Sequence, residues 1–398
     1  MEKLPWGRLR GVRPSKQLHR LLDIGLDYTE AFKRMQVNEG ISSEKFKLLW
    51  QVARISRPIV EESSLPDLFS VYISIPFCPS RCHYCSFPAH SLKELAIWRS
   101  RYLDTLLYEI RTAGQLTEKL QLRPYSFYLG GGTPTSLSPA ELDNILSALR
   151  LAFPGTVREF TVEAGRPDTI THEQLAILKK HGVTRVSVNP QSMHNETLKK
   201  IGRCHSVEEA YRAVKQVQSS AFPVLNMDLI LGLPEEDEAM VRKSVHDVLS
   251  LSPTNITLHM FSRKRASLFS EEQARFHLPD KALAAAMYRT AVGLLSPTYH
   301  PYYLYRQHGI LGDLENIGYC LPETECFYNI VMIEERQHIL GLGCGATNKF
   351  IYKDLSLKNL VSPKDIQTYL EKAAELCRRR EHELTKAKLT VRAQSEKY

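Results

Sequence analysis

Residues 71–85 read Val71-Tyr72-Ile73-Ser74-Ile75-Pro76-Phe77-Cys78-Pro79-Ser80-Arg81-Cys82-His83-Tyr84-Cys85. The first five, β-branched and aromatic at most positions, predict a strand. Three thiols follow at spacing C-x3-C-x2-C on one loop. That spacing suits three corners of a cubane of four irons and four sulfides. The fourth iron then has no protein ligand and stays open to chelation by a small molecule. An electron-transfer ferredoxin would need a fourth cysteine close by, but the next is Cys204, more than a hundred residues on. A structural zinc on three cysteines plus His83 is the alternative; His83 lies between two of them, where joint coordination is cramped.

Outward from this loop, strand-like and helix-like stretches alternate. Strands are predicted at Val71–Ile75, Ser126–Leu129, Phe160–Val162, Arg185–Val188, Leu225–Leu231 and Asn255–Met260. Helices are predicted at Leu92–Ala113, Pro139–Ala152, Thr171–His181, Val207–Ser219 and Ala239–Leu249, with Ser138 as a cap and Gly182 as a stop. Six β-then-α units with short links predict an α/β fold, a partial (β/α)6 barrel with a parallel sheet, spanning residues 69–296. Residues 1–68 read as a helical N-terminal lead-in. Residues 297–398 read as a C-terminal α+β subdomain that covers the barrel and ends in a helical tail.

Barrels of this kind place their chemistry where strands end. The second strand runs into Gly130-Gly131-Gly132-Thr133-Pro134-Thr135, whose glycines allow a ligand close to the backbone. The third ends at Glu163, the fourth is followed by Gln191, the fifth carries Asp228, and Arg203 ends the helix after Gln191. Each alone is an ordinary polar loop residue. Together they suit a ligand with ribose hydroxyls, which call for Glu, Gln or Asp, and a carboxylate, which calls for Arg.

The chain has 398 residues, 43% hydrophobic and 24% charged, which are globular proportions. No apolar run reaches the roughly 18–20 residues that span a bilayer. The N-terminus has basic residues but no apolar core, so no signal peptide is predicted and the expected location is cytoplasmic. Eight cysteines in such a chain are not read as a disulfide framework. The net charge of +8 fits either a solvated basic surface or a bias toward acidic ligands. No RNA-recognition signature is present, and no nucleic-acid partner is expected.

The cysteine spacing, with Tyr84 before the last thiol, resembles the radical S-adenosylmethionine superfamily, and the GGGTPT loop resembles its GGE-type loop. The whole arrangement closely resembles the oxygen-independent coproporphyrinogen III oxidase family, in its coproporphyrinogen dehydrogenase or HemZ-type branch. The resemblance runs from Trp6-Gly7-Arg8 and Gly11-Val12-Arg13-Pro14 through the motifs above. It continues into Tyr302–Gln307, Leu314–Tyr319, Tyr328-Asn329-Ile330 and Gly341–Ala346. Longer members carry an extra N-terminal region that is not seen here.

The resemblance implies a [4Fe-4S] cluster on Cys78, Cys82 and Cys85, with S-adenosylmethionine on its open iron. Tyr72 would contact that cofactor, Tyr84 would lie against its adenine, and Gly131, Gly132 and Thr133 would hold its methionine end. Glu163, Gln191, Arg203 and Asp228 would complete the site. The reaction implied is a deoxyadenosyl-radical attack on propionate side chains of coproporphyrinogen III. Oxidative decarboxylation then gives vinyl groups and protoporphyrinogen IX in haem biosynthesis, without oxygen. A reductant protein such as flavodoxin or ferredoxin would supply electrons. Arg263, Lys264, Arg265 and Arg306 are candidate partners for the propionates. Two rivals share the barrel: a haem-binding chaperone, and a radical methyltransferase or haem-degrading relative. Chaperones carry a His-Asn motif where this chain has Tyr328-Asn329.

Overall fold

The computed structural model describes residues 4–9, 13–85, 90–91, 96–262 and 277–395. Three helices open the chain: α1 (Pro14–Asp23), α2 (Tyr28–Glu39) and α3 (Ser43–Ser63). Then come β1 (Leu68–Ile75), β2 (Phe77–Cys78), β3 (His90–Ser91), α4 (Ala96–Lys119), β4 (Arg123–Gly131), α5 (Pro139–Ala152) and β5 (Glu159–Glu163). The units continue through α6 (His172–Lys180), β6 (Arg185–Ser187), α7 (Asn195–Lys200), α8 (Val207–Ser219), β7 (Val224–Leu231), α9 (Glu238–Ser250) and β8 (Asn255–Met260). The last part holds α10 (Lys281–Leu295), β9 (His300–Tyr305), β10 (Asn316–Cys320), α11 (Phe327–Glu334), β11 (His338–Leu342), β12 (Thr347–Ile351), β13 (Leu357–Val361) and α12 (Ile366–Ser395).

Local chemistry sets the helix starts. Ser138 caps α5 in a reciprocal box with Glu141, Thr171 does the same for α6 with Gln174, and Ser206 for α8 with Glu209. Gly182, at φ +74°, follows α6 where the chain must turn through the left-handed region.

The six strands foreseen pair in parallel in chain order, β1-β4-β5-β6-β7-β8. The final hundred residues extend the same sheet at both edges. β11 adds in parallel to β1, with β12 and β13 antiparallel beyond it, while β10 and β9 add antiparallel to β8. Helix α3 packs across β9 and α11.

Alternation along the strands separates the two faces of the sheet. Val71, Ile73, Phe127, Leu129, Phe160, Val162, Val186, Met227, Leu229, Ile256 and Leu258 are buried in one core with α4, α5, α6, α8 and α9. Each such side chain contributes roughly 1.5–3 kcal/mol by leaving water. The residues between them are polar: Ser70, Tyr72 and Ser74; Tyr128; Glu159, Thr161 and Glu163; Arg185 and Ser187; Asn226 and Asp228; Thr257 and His259. Parallel strands covered on both faces are normally apolar throughout. Here the second face is a lined polar interior.

Its floor is closed by α11. The Glu159 carboxylate accepts from Arg185 Nε (3.1 Å), from the backbone N–H groups of Phe327 (3.1 Å) and Tyr328 (3.4 Å), and from Cys326 Sγ (3.2 Å). A carboxylate there satisfies donors that the helix leaves open at its N-terminus. The docking packs Tyr328 against Tyr72 and Tyr128 in a three-ring cluster, with ring centroids 6.0 and 4.5 Å away.

A buried ion pair fixes the rim beside β1. Glu109 accepts from Arg380 Nη2 (2.6 Å), Tyr369 Oη and the Gly343 N–H (2.8 Å). Gly343, at φ +97°, leaves room for Tyr102 Oη and Ser74 O, which a Cβ would meet at 2.5 and 2.7 Å. The Gly341–Ala346 motif is therefore a close-packed brace behind β1.

Candidate functional site

The cysteine loop leaves β1 at Ile75 and is clamped by the glycine loop that ends β4. The Gly132 N–H donates to Ile75 O (2.7 Å) and the Thr133 N–H to Phe77 O (2.8 Å), while Thr133 Oγ1 lies 3.5 Å from Cys78 Sγ. A Cβ on Gly132 would stand 2.5 Å from Phe77 O and 3.0 Å from Cys78 Sγ, so this position has to be glycine. Gly131 turns at φ +107° against the backbone of Ile75. Cys78 and Cys82 are buried and Cys85 is half-buried, with its N–H on Cys82 O (3.1 Å). None of the eight cysteines is in a disulfide.

His83 is turned onto the end of α7. Its Nδ1 lies 2.9 Å from Lys200 O, its N–H donates to Ile201 O (3.0 Å), and a Cβ on Gly202 would touch its ring at 2.8 Å. It anchors the loop there. Among the described residues no three His, Cys, Asp or Glu side chains are already gathered as a metal site, the three thiols of this loop included.

Two buried guanidinium groups underlie the loop. Arg203 donates to Tyr84 Oη (3.0 and 3.2 Å) and to Gly165 O (2.8 Å), so two of the foreseen site residues are bonded to each other. Arg166 was not foreseen. It bonds Ser80 Oγ (3.1 Å), pairs with Asp168 (3.1 Å) and brings Nη1 to 3.8 Å from Cys82 Sγ. Its signal was available three residues after Glu163. Burial pushes the Cys78 thiol up to about 11, against the Thr133 bond and the more distant Arg166 charge. Holding it as thiolate therefore calls for further positive charge, which an iron bound there would supply.

At the strand ends two carboxyls face each other with opposite tendencies. Burial pushes Glu163 up to about 7, the Asp228 charge adds to this, and the bond from Tyr128 Oη opposes it. Burial would raise Asp228 as well, but His259 and the bonds from Asn226 and Thr257 hold it below the usual range. Gln191 sits beside them in the left-handed region (φ +71°), its N–H on Asp228 O (3.0 Å). Its Oε1 is buried with no hydrogen-bond partner. A buried amide oxygen without a donor fits a ligand hydroxyl. Tyr72 packs against both Tyr128 and Tyr328.

A carboxyl raised on folding keeps its proton where the unfolded chain has lost it. Stability then falls as pH rises from about 4.5 to about 7. Glu163→Gln is expected to remove this fall in the ligand-free protein, gaining on the wild type by up to about 2 kcal/mol between about pH 5 and about pH 8. Denaturant unfolding at the two pH values measures it; equal differences at both would contradict it.

Arg306 corrects a sequence expectation. It is buried, donates to Leu9 O (2.6 Å), pairs with Asp313 and lies over the Trp6 ring. Trp6 Nε1 in turn donates to Glu315 Oε2 (2.9 Å), which Lys45 also holds (2.6 Å). Arg306 therefore fastens the N-terminal segment, and its guanidinium is committed to these partners. Arg263, Lys264 and Arg265 lie outside the described residues.

Residues 72–248 match the model of the Radical SAM superfamily. Over 377 residues the chain is 40% identical to the oxygen-independent coproporphyrinogen-III oxidase-like protein HemZ of Bacillus subtilis (strain 168), covering 92% of this chain and 74% of that one. It is 30% identical over 281 residues to the heme chaperone HemW of Lactococcus lactis subsp. lactis (strain IL1403), covering 70% and 69%. Among solved structures, coproporphyrinogen III oxidase (HemN) from Escherichia coli, a radical SAM enzyme, shares the fold, with TM-score 0.62 and 19% identity over 80% of this chain and 72% of that one. No helix among the described residues is long and apolar enough to cross a membrane.

Proposed function

Since the chain belongs to the radical SAM superfamily, within its group of oxygen-independent coproporphyrinogen-III oxidase-like proteins, we propose that it oxidatively decarboxylates propionate side chains of coproporphyrinogen III to vinyl groups and carbon dioxide, the deoxyadenosyl radical taking one hydrogen atom and an external one-electron acceptor taking the remaining electron. The superfamily's cofactors are a [4Fe-4S] cluster and S-adenosylmethionine, and together they supply an organic radical that can take a hydrogen atom. Cys78, Cys82 and Cys85 hold the cluster. Thr133 and the Gly131–Gly132 backbone fix the loop that carries Cys78. Arg166 offsets thiolate charge at Cys82. Glu163, Gln191 and Asp228 orient the cofactor's hydroxyls, and Arg203 keeps Tyr84 in place on the cysteine loop. The floor built by Tyr72, Tyr128 and Tyr328 keeps water from the inner end of the cavity.

Reading the chain as an enzyme and not as a carrier rests chiefly on Tyr328. It stands where the chaperone motif has histidine, and it is buried against Tyr72 and Tyr128. The 40% identity to the HemZ protein over 92% of the chain supports the same side.

The test is anaerobic reconstitution followed by turnover. Coproporphyrinogen III is expected to speed 5′-deoxyadenosine formation and to yield vinyl product. Tight stoichiometric haem binding with no vinyl product would replace this reading by the chaperone one. Asp228→Ala is expected to keep the cluster and to weaken S-adenosylmethionine binding by roughly 1.5–3 kcal/mol, the loss of one charged hydrogen bond. Calorimetry decides this; unchanged affinity would remove Asp228 from the site.

A further inference from the structure

One polar chain in the mouth of the cavity extends beyond the proposed cofactor residues. His259 puts Nε2 3.4 Å from Asp228 Oδ2 and Nδ1 3.2 Å from Tyr305 Oη. Gln307 Nε2 donates to the same phenol oxygen at 3.4 Å. Asp228, His259 and Tyr305 come from β7, β8 and β9, so it is the sheet that assembles them.

The surroundings hold these groups in place. Asn226 Nδ2 fixes the other Asp228 oxygen (2.8 Å). Tyr305 lies parallel to Tyr303, with centroids 6.2 Å apart and planes 12° apart. Tyr303 can lie there because Gly318 is its partner across the strands; a Cβ on Gly318 would come within 1.9 Å of the Tyr303 ring. The His259 side chain is 25% exposed, and Tyr305 is half-buried, each flanked by buried strand neighbours. They face a space.

The hydrogen inventory states what this space accepts. A phenol oxygen carries one hydrogen and can accept two. The Gln307 amide fills one acceptor position. When the imidazole Nδ1 carries a hydrogen it fills the other, and the phenol hydrogen is left for a ligand. A carboxylate matches that donor.

We propose that His259 and Tyr305, backed by Asp228 and Gln307, form a carboxylate-recognising arm of the substrate pocket. It selects substrates whose side chains end in a carboxylate. The identity of that substrate rests on the decarboxylase reading; the recognition chemistry does not. With Arg306 committed to the N-terminal segment, this arm takes over part of the role that sequence reading gave to arginine.

The experiment measures binding of coproporphyrin III and of its tetramethyl ester to the full-length, reconstituted protein by fluorescence quenching. Wild type is expected to prefer the acid by at least about tenfold. Tyr305→Phe and His259→Asn should each lose about tenfold in acid affinity, with ester affinity unchanged; that is about 1.4 kcal/mol. Tyr305→Phe should also raise KM more than it lowers kcat. Equal affinity of wild type for acid and ester, or an acid preference that survives in both variants, would overturn the assignment. If no vinyl product forms while the acid preference disappears in both variants, the decarboxylase reading fails and the arm stands.

Discussion

Replacing Cys78, Cys82 or Cys85 by Ala is expected to leave a folded chain that holds no cluster and cleaves no S-adenosylmethionine. A cubane with an open iron has only three protein bonds, so losing one removes a third of its attachment and exposes a second iron. The surrounding loop does not depend on the thiols for its shape. The Gly132–Ile75, Thr133–Phe77 and His83–Ile201 backbone bonds set it. Bound iron should fall from about four per chain to near zero. Cys377→Ala, on α12 beside Thr112 and Arg380, should keep both iron and activity. One zinc per wild-type chain, with no iron after anaerobic reconstitution, would refute the cluster.

Gly132→Ala is expected to have nearly as large an effect without touching a ligand. The added methyl meets Phe77 O at 2.5 Å, Phe77 C at 2.9 Å and Cys78 Sγ at 3.0 Å. Two of these are backbone atoms and cannot rotate away, so the Thr133–Phe77 bond opens and Cys78 shifts. A site displaced by about 1 Å holds its group poorly. Iron retained after gel filtration should drop at least several-fold, and the cluster's paramagnetic signal should drop with it. Gly293→Ala, in α10 with nothing within 4 Å, is the control and should retain full iron. Full iron in Gly132→Ala would show that the loop is softer than its packing implies.

The sequence made the six parallel strands legible because each is a short apolar, β-branched or aromatic run between helical stretches, and Ser138 and Thr171 mark helix starts unaided. The strand-end residues were legible by position. Glu163, Gln191 and Asp228 do gather, and Tyr84 does meet Arg203. What was overlooked was already written in the strands: the alternation in Ser70–Ser74 and Asn226–Asp228 signals a polar interior, and Arg166 follows a strand end as closely as its neighbours. Arg306 was misread because its partners, Leu9 and Trp6, lie almost three hundred residues earlier, where no local pattern reaches. The splitting of the last strands between both sheet edges is likewise a property of long-range pairing. Short runs such as His338–Leu342 carry no mark of which edge they will join.

The most direct measurement of the central claim is where a label on the substrate goes. Coproporphyrinogen III deuterated at the propionate carbon next to the ring is turned over anaerobically with reductant and S-adenosylmethionine, and the 5′-deoxyadenosine is weighed by mass spectrometry. Transfer of one deuterium for each vinyl group formed is the predicted result. Unlabelled 5′-deoxyadenosine, formed at the same rate with or without substrate, would contradict the account.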